Sequence, residues 1–141
     1  MDFSVPFKIC SSGLAAQRTK MDVITSNLAN LATTRTPEGG PYKRREVVLG
    51  SRSAVDDFDG QLQDVLQAVE VKGIAEDKNG VKMIYDPAHP DADEQGFVAM
   101  PDINVVLEMA EMINVNRSYE ACATAFDATK NMALKALDIG K

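Results

Sequence analysis

The sequence predicts an α+β fold, in which long N- and C-terminal helices pair as a coiled coil and a small β-rich domain is inserted between them. Apolar residues recur every three or four positions near both ends of the chain, which is the pattern of a helix with one buried stripe. Most glycines and prolines lie in the middle, together with short β-branched and aromatic runs. We therefore divide the chain at 1–34, 35–103 and 104–141.

The N-terminal helix is predicted from a stripe in which only Gln17 is polar. Ser11 or Ser12 is placed to cap its start, and the pattern continues to about Ala32. The stripe consists of Phe7, Cys10, Leu14, Gln17, Met21, Ile24, Leu28 and Leu31.

The middle segment is predicted to form short strands separated by loops. Strand-like runs occupy 42–50, 62–77, 81–86 and 96–100. The sequence "KNG" at 78–80 is a hairpin signal, so we expect the second and third strands to pair.

The C-terminal helix is predicted to run from Asn104 to Ile139, which is about 54 Å at about 1.5 Å per residue. Pro101 and Asp102 are suited to its start and Gly140 to its end. Its predicted stripe is Val105, Met109, Met112, Asn116, Tyr119, Ala123, Phe126, Lys130, Ala133 and Leu137.

The apolar surface of the terminal helices is wider than one stripe, and a two-helix pair cannot bury all of it. Such a surface usually marks an interaction site. We expect the terminal helices to be partly disordered in an isolated chain and to fold when subunits join. The predicted assembly interface is Leu14, Met21, Ile24, Asn27, Leu28, Asn30, Leu31, Met109, Met112, Ile113, Arg117, Tyr119, Phe126 and Leu137.

Two amides, Asn27 and Asn30, lie on a flank of the N-terminal stripe. An amide both donates and accepts, so each can bond polar groups of a neighbouring helix and fix its register. Asn30 is also suited to ending the helix in the left-handed conformation. The alternative is that both amides face water near a helix end.

Several function classes are excluded or disfavoured. A net charge of −6 argues against a general nucleic-acid binder. No run of 18 apolar residues could span a membrane, and the first 17 residues do not resemble a cleaved signal peptide. No Gly-rich phosphate loop or nucleophile–histidine arrangement is present, so we expect neither an enzyme nor a cofactor.

Four features have competing interpretations. Cys10 and Cys122 are interpreted as small buried hydrophobes, with a disulfide between the ends as the alternative. The basic run at 43–45 is interpreted as a solvated strand edge, with an ion pair to the next subunit's acidic loop, or phosphate or lipid binding, as the alternatives. Met109 and Met112 are interpreted as core filling, with a promiscuous binding groove as the alternative. The acidic loop is interpreted as solvated, with a metal site as the alternative; it contains Asp86, His89, Asp91, Asp93 and Glu94.

Both ends of the chain carry recognisable short motifs. They are Ser12-Gly13-Leu14, Ala16-Gln17, Asn27-Leu28-Ala29-Asn30 and Thr33 at one end, and Met112-Ile113, Arg117, Tyr119-Glu120 and Leu137-Asp138-Ile139-Gly140 at the other. Together they resemble the flagellar rod, hook and filament-axial proteins. The segment 85–109 narrows the resemblance to the basal-body rod proteins of the proximal rod. One departure is local: a proline-rich turn replaces the family's usual Gly-Tyr after the Asn-Leu-Ala-Asn motif.

The resemblance implies paired terminal helices in an inner layer with a small β domain outside. It implies a structural subunit of the rod that crosses the periplasm, encloses the export channel and transmits torque from motor to hook. The implied partners are copies of itself, other proximal and distal rod subunits, the export apparatus and the basal-body rings. Export would use the flagellar type III system without a cleaved signal. The alternatives from other classes are a soluble coiled-coil adaptor or chaperone-like binding module, and a metal-binding module built on the His89 loop.

Overall fold

The computed structural model describes residues 4–54 and 66–139, and it confirms an α+β chain with a helix at each end and antiparallel strands between. The elements are α1 (Ser4–Ala29), β1 (Arg45–Ser53), β2 (Gln67–Glu76), β3 (Val81–Tyr85), β4 (Phe97–Pro101) and α2 (Val105–Ile139). The predicted strand start at 62–65 and the predicted helix end at Gly140 lie outside the described residues.

The strands form two separate two-stranded sheets, β1–β2 and β3–β4, so the prediction of a "KNG" hairpin is wrong. The turn is real, because the Asp77 carboxylate accepts the N–H of Asn79 at 2.9 Å. However, the backbone on each side of it bonds outward. Asp77 donates its N–H to the Arg44 carbonyl, and Gly80 accepts from Asp102, each at 2.8 Å. The turn therefore connects two sheets instead of closing one.

The start of α1 also differs from the prediction. The helix is already formed at Ser4, so Ser11 and Ser12 lie within it. Their hydroxyls donate to the carbonyls of Lys8 and Ile9, at 3.1 and 2.8 Å. A serine inside a helix commonly satisfies its hydroxyl in this way, and it then has no capping role.

The start of α2 is capped by Asn104, not by Pro101 or Asp102. The Asn104 side-chain oxygen accepts the N–H groups of Val106 and Leu107, at 3.0 and 3.3 Å. This satisfies two of the donors that every helix N-terminus leaves unpaired.

The two helices pack against each other in antiparallel directions. Phe7 meets Phe126 edge to face at 5.0 Å between ring centroids, and Asn27 contacts Glu108. Between these contacts, a Cβ added at Gly13 would lie 3.3 Å from the sulfur of Cys122. With Phe126 beside Phe7, α2 continues for about 15 Å beyond Ser4, at about 1.5 Å per residue.

The predicted stripe of α2 is half right. The half-buried residues are, as expected, Met112, Tyr119, Ala123, Phe126 and Ala133. The other five are exposed: Val105, Met109, Asn116, Lys130 and Leu137. At three of these positions the buried residue lies one position earlier than predicted, namely Glu108, Val115 and Thr129. A helix accommodates either order of three- and four-residue steps, and two of the buried side chains are polar, so an apolar pattern passes over them.

The buried face of α1 is wider than a coiled-coil stripe, because α1 packs on β1 and β2 as well as on α2. Ala16, Val23, Ile24 and Asn27 are its buried residues. Val47 of β1 and Ala68 of β2 are buried in the same core. The core therefore lies where the second half of α1 meets the first sheet and α2.

Gly96, just before β4, offers a direct test of the second sheet. Its φ is +82°, and an added Cβ would lie 2.9 Å from the Tyr85 ring. We expect Gly96→Ala to lower the free energy of unfolding by roughly 1–3 kcal/mol. Urea denaturation followed by circular dichroism measures this change.

Gly73 of β2 is the matched control, since nothing lies within 4 Å of its added Cβ and its φ is not positive. Gly73→Ala should be neutral or stabilising by about 0.5–1 kcal/mol. Equal effects of the two substitutions would contradict the described conformation of Gly96.

Candidate assembly surface and buried polar cluster

The residues predicted to form an assembly interface have very different environments in the chain. Met109, Ile113, Arg117 and Leu137 are exposed. Ile24 and Asn27 are buried. The remaining eight are half-buried: Leu14, Met21, Leu28, Asn30, Leu31, Met112, Tyr119 and Phe126. Their assignment to an interface between subunits stays a prediction.

Large apolar side chains are exposed at both ends of α2. The N-terminal patch consists of Val105, Val106, Leu107, Met109 and Ile113. The C-terminal patch consists of Met132, Leu134, Leu137 and Ile139, and Ile139 exposes 86% of its surface. Single exposed apolar residues are ordinary, but clusters of this size on one helix indicate a surface that another molecule covers.

Beneath the N-terminal patch lies a cluster of buried polar groups, centred on Asn27, which exposes only 1% of its surface. Its amide nitrogen donates to the Arg45 carbonyl at 2.9 Å and to a Glu108 carboxylate oxygen at 3.1 Å. Its oxygen accepts from the Arg45 N–H and the Tyr42 hydroxyl, each at 3.0 Å. An amide offers two donors and two lone pairs, so all its capacity is used.

Glu108 is the charged member of this cluster and is also only 1% exposed. One carboxylate oxygen bonds Asn27, and the other accepts from Arg44 Nε at 2.6 Å. Burial by itself lowers the pKa of Arg44, but the hydrogen bond and charge of Glu108, followed by the charges of Glu111 and Glu46, raise it overall. Arg44 therefore remains charged at any physiological pH, and the buried carboxylate keeps its counter-ion.

The basic run therefore has partners inside the chain. The prediction of a solvated strand edge is wrong for Arg44, which bonds Glu108. Arg45 pairs with Glu76 of β2 at 2.9 Å, and its guanidinium lies 5.5 Å from the centre of the Tyr42 ring.

The two amides of the N-terminal motif have different roles. Asn27 bonds α2, as predicted for a neighbouring helix, and the alternative of a water-facing amide is wrong for it. Asn30 lies at the end of α1. Its side-chain nitrogen donates to the Ser26 carbonyl at 2.9 Å, and its side-chain oxygen accepts from the Thr33 hydroxyl at 3.1 Å. Its φ is not positive, so the expected left-handed conformation is wrong.

Three side chains of the acidic loop order the loop itself, whereas the Asp91 carboxylate accepts from the Thr34 hydroxyl at 2.8 Å and lies 3.7 Å from Arg35. Asp86 and Asp93 accept backbone N–H groups of Ala88 and Gln95, and His89 Nδ1 accepts the N–H of Asp91. Within residues 4–54 and 66–139 no group of three or more His, Cys, Asp or Glu side chains is placed to hold a metal ion.

Two further findings bear on the alternatives from the sequence. Cys10 and Cys122 are both free and half-buried, so the described structure does not join the two ends by a disulfide. In the part of the chain that the structure describes, neither helix is long and apolar enough to cross a membrane.

Sequence reasoning identified Asn27 but missed its side-chain partners Tyr42 and Glu108, and it missed Arg44 as the partner of Glu108. Glu108 had a usable signal, because it precedes Met112 by four residues and so shares its face of the helix. The contributions of Tyr42 and Arg44 depend on long-range contacts, and no local pattern marks them.

Comparison with known proteins gives a consistent result over almost the whole chain. A family model described as "Flagella basal body rod protein" matches residues 7–35, and one described as "Flagellar basal body rod FlgEFG protein C-terminal" matches residues 94–139. A flagellar basal-body rod protein FlgC of Borreliella burgdorferi is 42% identical, covering 93% of each chain. Proteins of the same name are 40% identical in Bacillus subtilis and 37% in Salmonella typhimurium, covering 94–96% of each chain.

The polar cluster predicts a large effect of Asn27→Ala. The substitution leaves Glu108 and Tyr42 each one hydrogen bond short and removes two bonds from the Arg45 backbone. We expect a loss of about 3–5 kcal/mol in the free energy of unfolding, as for a buried charged network that loses one member. Urea denaturation gives the value.

Asn30→Ala is the matched control, three residues away on the same helix. It removes two bonds at a half-exposed helix end, so we expect a loss of about 1 kcal/mol. A loss from Asn27→Ala no larger than that from Asn30→Ala would show that the cluster does not hold the helices and β1 together.

Proposed function

The chain belongs to the flagellar basal-body rod protein family, and we propose that it polymerises through its terminal helices into the proximal part of the rod. It is a structural subunit of the rod and not an enzyme. In the proposed arrangement α1 and α2 pair as a coiled coil in an inner layer around the export channel, and the two sheets lie outside.

The observation that carries this proposal is the pair of apolar patches on α2. Fully burying a large apolar side chain contributes about 1.5–3 kcal/mol. The nine side chains are already partly buried, so covering the rest contributes on the order of 10 kcal/mol in total. This is comparable to the roughly 4–15 kcal/mol that association costs in lost freedom of motion. Covering the two patches would therefore offset much of the free-energy cost of association.

The positions of the patches are compatible with an open polymer, and membership of a rod-protein family favours a polymer over a closed dimer. They lie at opposite ends of one helix, and their residues differ. An interface that joins two different surfaces of identical or related subunits is heterologous, and it propagates helically when its rotation does not close. This supports a helical rod in which each subunit meets neighbours at both ends of α2.

We further propose the partners and location that go with this role. The subunit would contact copies of itself and other rod proteins, and would meet the export apparatus and the basal-body rings at the rod's base. It would leave the cell through the flagellar type III system, cross the periplasm as part of the rod and transmit torque to the hook. The alternative of a soluble adaptor is not favoured, since the relatives carry the name of a rod protein.

Ile113→Asp tests assembly without disturbing the chain's own core. Ile113 is 55% exposed, so a carboxylate there remains solvated in the free subunit, whereas it would be buried and unpaired in the rod. Leu28 and Leu31 are half-buried in the chain and would confound folding with assembly. We expect Ile113→Asp cells to lack rods in electron micrographs of basal bodies and to be non-motile.

Asn114→Asp is the control, because it adds the same charge at the next exposed position outside the N-terminal patch. We expect it to build rods. Normal rods with Ile113→Asp would contradict the role of this patch in assembly.

A further inference from the structure

We propose that Asn27, Arg44 and Glu108 form the joint through which force passes between the helix pair and the outer strands. The inference rests on the proposed function, since it concerns how a rod subunit carries load. Asn27 lies in α1, Arg44 directly precedes β1, and Glu108 lies in α2. We call these three residues the joint.

The contacts of the joint bring three elements to one carboxylate and one amide. The Glu108 carboxylate of α2 is held by Asn27 at 3.1 Å and by Arg44 at 2.6 Å. Asn27 also makes two bonds to the backbone of Arg45, the first residue of β1, at 2.9 and 3.0 Å. A displacement of β1 relative to either helix must therefore lengthen at least one of these bonds.

Backbone hydrogen bonds hold one end of each sheet close to the joint. The Arg44 carbonyl accepts from Asp77, directly after β2, and the Gly80 carbonyl accepts from Asp102, directly after β4. Asp102 is followed within two residues by Asn104, the cap of α2. Hydrogen bonds and short chain segments thus link α1 to the ends of both sheets and then to the start of α2. The bond between Glu108 and Asn27 joins α2 back to α1.

Directional bonds suit this task better than apolar packing does. Apolar side chains slide past one another at nearly constant buried area, whereas a hydrogen bond weakens steeply with distance and angle. A buried ion pair is often no more stabilising than apolar residues of the same volume. A fully paired, almost fully buried carboxylate therefore points to a fixed orientation of helices and strands, and not to extra stability.

An apolar replacement of the joint separates orientation from stability. The variant Asn27→Leu, Arg44→Met, Glu108→Met keeps volume in the core and removes the charges and directional bonds together. The control is Arg45→Met, Glu76→Met, which removes an ion pair within the β1–β2 sheet that does not reach either helix. Each full-length chain replaces the native subunit as the sole copy in a motile strain.

Two quantities are measured in these cells: basal bodies with rods per cell, and swimming speed as medium viscosity is raised about tenfold. We expect the apolar variant to build rods in normal number but to lose at least half of the wild-type speed at high viscosity. The control should follow the wild type at every viscosity. A role confined to stability would reduce the number of rods without changing how speed depends on viscosity.

Wild-type swimming of the apolar variant at every viscosity would overturn the proposal, and so would fewer rods with an unchanged viscosity dependence. If the apolar variant yields no folded chain, the same two measurements are made on Arg44→Lys, which keeps the charge but not the Nε donor. Arg44→Lys should show the same loss at high viscosity, and a wild-type profile would overturn the proposal. Intact rods after deletion of the gene would instead contradict the proposed function, so the two failures are distinguishable.

Discussion

The structure depends on one constraint: each oxygen of a carboxylate buried between two helices needs a hydrogen-bond donor. Glu108 meets this requirement through Asn27 and Arg44, and Asn27 in turn uses its remaining capacity on Tyr42 and the first residue of β1. An uncompensated charge at this depth would be strongly destabilising. The position of α2 along α1, and the point at which the chain enters the first sheet, are therefore fixed together.

That register also decides which part of α2 lies beside α1. With Glu108 opposite Asn27 in an antiparallel pair, Phe126 reaches Phe7, and the rest of α2 extends past the described start of α1. Three of the four buried residues of α1, Val23, Ile24 and Asn27, lie in its second half near the polar cluster. The far ends of both helices carry only half-buried or exposed side chains in the described residues, and the apolar C-terminal patch of α2 is exposed. A polar centre and apolar ends suit a family whose members function as parts of a rod.

The helices and the strand positions were predictable from the sequence because they depend on local patterns. The pairing of strands was not: "KNG" carries a hairpin signal, but hydrogen bonds from Asp77 and to Gly80 direct the two flanking strands into different sheets. Part of the buried face of α2 was not predicted, because the buried residues Glu108 and Thr129 are polar and an apolar pattern does not include them. Asn27 was recognised as important, yet its partners lie 15 to 81 residues away, beyond the reach of any local pattern.

The central claim is that the polar cluster holds the middle of the subunit while neighbours complete its ends, and amide hydrogen exchange tests it most directly. In the isolated chain, amides at 20–29 and 105–115 should be protected. Those at 4–12 and 130–139 should exchange as in an unstructured peptide, because none of these side chains is fully buried in the described chain. In purified basal bodies the same terminal amides should become protected. Terminal amides that are equally protected in the isolated chain and in the rod would show that the subunit is complete without neighbours, and would contradict the account.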